Sequence, residues 1–90
     1  MEWKIEIDSV ARKQLKKLDV TSRNIIIDYL QNKVLTLPHP KVAGKALQSN
    51  YKGLWRYRVH KFRIICQIKE NTLSILVIKI ATRDKVYTTD

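Results

Sequence analysis

Acidic side chains are scarce in this sequence: 8 Asp and Glu stand against 18 Lys and Arg, leaving a formal net charge of +10 on 90 residues. Folding does not need such an excess, so it points outward, to nucleic acid, an acidic protein partner or an anionic membrane surface. Cysteine is scarcer still. The single Cys66 cannot close an intramolecular disulfide, and no Cys/His cluster has the spacing of a zinc site. Neither staple, metal nor cofactor is therefore expected, and the thiol reads as a buried strand residue. Long apolar runs are missing too. The longest, Leu73 to Ile80, is interrupted by Ser74 and Lys79 and is too short to span a bilayer. The opening MEWKIEID carries charge on alternate residues, the wrong pattern for a signal peptide or membrane anchor. Repeats, low-complexity segments and a domain linker are absent, so residues 1–90 are expected to form one cytoplasmic domain that does not enter membranes.

What is present is enough for a core, since 44% of the residues are hydrophobic. Trp3, Ile5 and Ile7 alternate with Glu2, Lys4 and Glu6, the pattern of a half-buried strand. Asp8 or Ser9 can cap a helix in which Ala11, Leu15 and Leu18 share a face while Arg12, Lys13, Lys16 and Lys17 load the rest. Asp19 or Thr21 can cap a second helix with Ile26, Ile27, Leu30, Val34 and Leu37 as its stripe and Tyr29 at the edge. Pro38-His39-Pro40 ends it, because the residue before a proline avoids the helical region and proline has no amide to donate. From Pro38 to Lys52 no period is visible. His39 there reads as a surface loop residue, with Lys41, Lys45 and Lys52 among small and polar neighbours.

Gly53 to Ile68, GLWRYRVHKFRIICQI, reads as two strands joined at His60-Lys61. Alternation sends Trp55, Tyr57 and Val59 to one face and Arg56 and Arg58 to the other. A two-residue turn would pair Val59 with Phe62 and set Arg58 opposite Arg63, so three arginines share one side of the hairpin. Like charges across a ladder are destabilising, which suggests that this face meets an anion. After a turn at Glu70-Asn71, Thr72 to Ile80 is a β-branched run, apolar on both faces, of the kind found flanked by other strands. The order is then β-α-α-β-β-β. The fold expected is α+β: a single-layer sheet with two antiparallel helices on the Trp55/Tyr57/Val59 side and the arginines on the open face, forming a shallow basic concavity closed at one end by the C-terminal tail.

Two chemistries suit such a face. It can bind single-stranded RNA, with arginines on phosphates and an aromatic for stacking. It can also cleave RNA without a metal, using the 2′-hydroxyl, a proton acceptor and charge stabilisation of the phosphorane. Arg56, Arg58, Arg63 and Arg83 can stabilise charge but cannot act as bases. Tyr87, lowered by neighbouring positive charge, is the best acid/base candidate, or else an aromatic that packs the tail on the sheet. Lys79 and Lys85 are weaker candidates, and strict alternation puts Lys79 on the helix side. His60 sits in the turn and reads as passive. The lysines of the first helix form either a solvated face or a ligand contact.

GLWRYRVHKFRIICQI together with ILVIKIATRDKVY, the lysine-rich first helix and the GKAL segment at Gly44 to Leu47 resembles the RelE/ParE superfamily of toxins from toxin-antitoxin modules, over nearly the whole chain. The resemblance implies a toxin held inactive by a cognate antitoxin. RelE-type members are metal-independent endoribonucleases that cut mRNA on the ribosome and so inhibit translation; ParE-type members lack the full nuclease set and poison DNA gyrase. By position, the arginine of the family's strand Tyr-Arg pair falls on Arg63, with Phe62 for the usual Tyr, and the arginine after the last strand falls on Arg83. The C-terminal tyrosine falls on Tyr87, and Arg56 matches one of two strand lysines. The other lysine position is Leu54, and Thr82 stands where a histidine often precedes the arginine. The resemblance thus implies Arg56, Arg63, Arg83 and Tyr87 as catalytic, with Arg58, Lys41, Lys45, Lys13, Lys16 and Lys17 contacting RNA and ribosome.

Overall fold

The computed structural model describes residues 3–48 and 53–82. Asp8 accepts from the Val10 amide at 3.0 Å and Asp19 from that of Ser22 at 3.2 Å, and these caps start the two helices. Helix α1 spans Ser9–Lys17 and α2 spans Val20–Asn32. Between them Arg23 reaches back to the Leu15 and Leu18 carbonyls, placing a cation on the C-terminal end of α1. Helix α2 stops before the sequence pattern does. Val34–Thr36 tightens into a 3₁₀ turn, in which Thr36 donates its hydroxyl to the carbonyl of Lys33 at 2.8 Å, so Val34 is buried from the turn and not from the helix.

Five strands form the sheet: β1 (Lys4–Ile7), β2 (Lys45–Ala46), β3 (Trp55–Val59), β4 (Phe62–Lys69) and β5 (Ser74–Thr82), in the spatial order β1-β5-β4-β3-β2. The expected β-α-α-β-β-β order therefore gains one element. The loop after Pro38 contributes β2, a two-residue edge strand antiparallel to β3. Gly44 makes that approach possible, since a Cβ there would lie 3.3 Å from Tyr57 Cε1 and 3.4 Å from the Arg56 carbonyl oxygen. Strand β1 pairs in parallel with β5, while the other neighbours are antiparallel. The apolar run after the second turn is thus flanked on both sides, as its composition required.

Both helices lie on one face. Ala11, Leu15, Ile26 and Leu30 meet Tyr57, Val59, Phe62, Ile64, Cys66, Ile75, Val77 and Ile80 in one cluster. Each large aliphatic side chain buried this way stabilises the fold by about 1.5–3 kcal/mol. Among the described residues, no helix is long and apolar enough to cross a membrane.

Candidate functional site

The hairpin register is the one the two-residue turn dictates: Val59 opposite Phe62, Arg58 opposite Arg63, Tyr57 opposite Ile64 and Arg56 opposite Ile65. His60 holds the turn with φ 54°, a left-handed conformation that His adopts more readily than most residues. Its role there is backbone geometry.

Cross-strand partners share a face, so the pairing extends into two rows on the side away from the helices. The first runs Lys45, Arg56, Ile65 and Lys79 across β2, β3, β4 and β5; the second runs Arg58, Arg63 and Ala81. Two residues of extended chain separate the rows by about 7 Å. Arg58 is exposed, whereas Arg56 and Arg63 are half-buried with their Nε atoms shielded from solvent, so their stems pack onto the sheet. Ile65 is only 1% exposed yet lies outside the helix-side core cluster, and it forms an apolar floor between the cations.

Lys79 is on this face for a reason that alternation does not reveal. Cys66 pairs with Val77 but Ile65 pairs with Lys79, so Ile78 is an extra residue on β5. The bulge moves Lys79 to the face opposite Val77, and the helix-side placement expected of it is corrected.

Other predicted residues divide. Lys45 joins the first row, but Lys41 does not: its Nζ is 3.0 Å from Glu70 and sits over the Trp55 ring at 5.2 Å. Lys13, Lys16 and Lys17 are exposed on α1, across the sheet from the arginines. Leu54 precedes β3 and Thr82 ends β5. Arg83 and Tyr87, with Lys52 and Lys85, lie outside the described residues, as does the tail expected to close the concavity.

A second cluster was invisible in the sequence because its members are far apart in the chain. The ring of His39 packs edge-on against Trp3, its Nδ1 accepts from the Lys41 amide at 3.2 Å, and its Nε2 is 3.6 Å from Glu70. The hydrogen bond and charge of Lys41, with His39 nearby, hold the Glu70 carboxyl below the usual range. Tyr57 donates its hydroxyl to the Pro40 carbonyl at 2.6 Å. Burial, with Cys66 and Tyr29 adjacent, pushes its phenol well above the ordinary tyrosine range, so it remains a donor. His39 is therefore half-buried and structural, and the start of its loop is pinned to the sheet by Pro40 and to Glu70 by Lys41. Burial likewise raises Cys66, an inert core thiol. Among the described residues, no group of three or more His, Cys, Asp or Glu is placed to hold a metal.

The family model described as the ParE toxin of type II toxin-antitoxin system, parDE, matches residues 5–87. A search of curated protein sequences finds no match. Among solved structures the chain is similar to the toxin-antitoxin complex RelBE2 from Mycobacterium tuberculosis, at 17% identity, TM-score 0.81, covering 90% of this chain and 91% of that one. It is similar to the isolated RelE toxin of E. coli at 16% identity, TM-score 0.72, with 93% and 87% covered. The archaeal RelE-RelB complex from Pyrococcus horikoshii OT3 gives 17% identity, TM-score 0.70, with 96% and 100% covered. At these identities the structural likenesses establish the fold.

Proposed function

We propose that this chain, which belongs to the ParE toxin family of type II toxin-antitoxin systems within the RelE/ParE superfamily, cleaves mRNA on the ribosome and is neutralised by a cognate antitoxin. The observation that carries the reading is the double row of cations on the open face. Arg58 stands directly opposite Arg63, and guanidinium groups at cross-strand spacing suit the successive phosphates of a single strand. Arg63 and Arg56 hold and neutralise the scissile phosphate, Arg58 and Lys45 take neighbouring phosphates, and Arg83 and Tyr87 complete the site, Tyr87 stacking on a base or moving the proton. The exposed lysines Lys13, Lys16 and Lys17 meet ribosomal RNA, whereas Lys41 is committed to Glu70. The antitoxin supplies an acidic or amphipathic segment matched to the basic domain; the M. tuberculosis RelBE2 structure is a toxin-antitoxin complex and the P. horikoshii structure a RelE-RelB complex.

A second reading, a non-enzymatic inhibitor of DNA gyrase, is favoured by the ParE identity of the matching family model and by Leu54 and Thr82 at positions where RelE types carry lysine and histidine. The two separate in one experiment. Wild type, Arg63→Ala, Arg83→Ala and Tyr87→Phe are incubated with mRNA on programmed ribosomes, and each is expressed in cells. The nuclease reading requires mRNA cut within codons by the wild type and loss of cutting in all three variants. Intact mRNA, with double-strand breaks while translation continues, establishes the gyrase reading instead.

A further inference from the structure

A groove borders the sheet on the β3 side. Strand β2 pairs with β3 only at Trp55 and Arg56, so it does not wall the far end of that strand. Helix α2 runs along the same flank. Its Ile26 and Leu30 turn into the core, while Ile25 and Tyr29, each one position earlier, stay half-buried and line a cavity of about 510 Å³ that reaches Val59. The Tyr29 ring is braced edge-on against Tyr57, with centroids 6.2 Å apart. Beside it Asn32 donates its amide to Asp28 at 2.5 Å, and both residues line the cavity. A smaller cavity of about 130 Å³ on the Ala43 and Lys45 side shares Tyr29 and Arg58 with it.

The lining selects the kind of group that fits. A bare phosphate gains nothing from Ile25 and Val59, and Asp28 repels it. A flat, uncharged ring with donors and acceptors on its edge uses every part: the apolar walls and Tyr29 for its faces, the Asp28–Asn32 pair for its edge. Position says where such a ring comes from. The row Ala81, Arg63, Arg58 crosses the open face and ends at Arg58, which also lines the groove. A strand whose phosphates follow that row carries its next base to the groove.

We propose that the groove between α2 and the far end of β3 is a nucleobase subsite, in which one base of the bound single-stranded RNA lies against Tyr29 with its edge toward Asp28 and Asn32. This rests on the reading of the open face as an RNA surface. The two kinds of contact have different signatures, because phosphate contacts set the salt dependence of binding whereas base stacking adds affinity without releasing counterions.

Two measurements test it. A short single-stranded oligoribonucleotide containing iodouridine is photocrosslinked to the wild type and the adduct is mapped by mass spectrometry; Tyr29 should carry it. The affinity of the same strand, labelled, is then followed over a range of salt concentrations with wild type, Tyr29→Leu, Asn32→Ala and Arg63→Ala, each checked for folding by thermal melting. Tyr29→Leu should bind about 5- to 150-fold more weakly, the loss of one stacked base, with the wild-type salt slope. Asn32→Ala should weaken binding less, also at unchanged slope, and Arg63→Ala should lower the slope by about 0.7. On a strand of abasic nucleotides the difference between wild type and Tyr29→Leu should vanish. If it persists there, or if Tyr29→Leu binds as the wild type does while Arg63→Ala lowers the slope, the subsite falls and the RNA surface stands. Crosslinks confined to other residues overturn the subsite as well, and should Tyr29→Leu fail to fold, the crosslink and Asn32→Ala decide. Absence of salt-dependent binding by the wild type overturns both readings.

Discussion

Tyr57→Phe isolates the bond that ties the irregular loop to the sheet. The Tyr57 hydroxyl and the Pro40 carbonyl are 2.6 Å apart, and both residues are fully buried, so the substitution leaves a carbonyl oxygen without donor or water. An orphaned buried acceptor costs about 1–3 kcal/mol. At about 1.5 kcal/mol, a domain of this size should lose roughly 6–12 °C in Tm. The pH dependence carries a second signature. Folding raises the phenol's pKa from 10.0, so the unfolded chain ionises first as pH climbs. The stabilisation is complete below about pH 10 and is lost above it. Part of that alkaline slope should vanish in Tyr57→Phe; the part from Cys66, whose thiol is also raised, should remain. Urea unfolding followed by circular dichroism at pH 7 and between pH 9 and 11 measures both. A loss below about 0.5 kcal/mol at pH 7, with an unchanged alkaline slope, would refute the argument that this hydroxyl is buried and bonded.

Gly44→Ala should destabilise by about 1–3 kcal/mol, because its new methyl meets Tyr57 Cε1 at 3.3 Å and that ring is held by its hydroxyl; urea unfolding reads the loss. Glu70→Gln should flatten the acid limb of stability. The carboxyl's pKa is depressed on folding, so its contribution is present above about pH 4.5 and is lost as pH falls through the folded value. Unfolding midpoints between pH 3 and 6 test this, with a residual slope expected from Asp19, which is depressed by its cap bond to Ser22. Arg58→Thr removes an exposed cation from the row on the open face and should weaken binding of single-stranded RNA, with a smaller salt dependence; a salt titration with a labelled oligoribonucleotide reads it.

The hairpin was legible because two independent constraints agreed: the alternation of Trp55 to Val59 and a turn too short to permit another register. Helix starts were legible through Asp8 and Asp19, each of which does what its type allows. Strand β2 was not, since two residues at 45–46 carry no period and their pairing depends on Gly44 passing close to Tyr57. The parallel pairing of β1 with β5 left no local trace, because it joins the two ends of the described chain. The bulge at Ile78 was hidden for a different reason. In a run that is apolar on both faces, an inserted isoleucine changes no polarity pattern, and Lys79, the only residue that could have reported it, was assigned by the periodicity that the bulge breaks.

What the open face can do follows from what its side chains are. Arg56, Arg58, Arg63 and Lys79 offer charge and donors, and guanidinium does not surrender a proton in a protein. Four titratable groups among the described residues are engaged elsewhere. Tyr57 is on the helix side and bonded to Pro40; Tyr29 packs edge-on against it and is raised by burial. His39 spends Nδ1 on the Lys41 amide, and Glu6 is held at the far edge between Lys4 and Lys69. On the nuclease reading, then, binding the phosphate chain and moving the proton fall to different groups, and the arginines of the sheet are suited to the first. A face built this way suits both members of the superfamily's repertoire, because a cation lattice can grip a substrate or a partner equally well. The nuclease reading assigns the proton to Tyr87, whose phenol can give and take one, and Tyr87→Phe on programmed ribosomes is the substitution that tests the assignment.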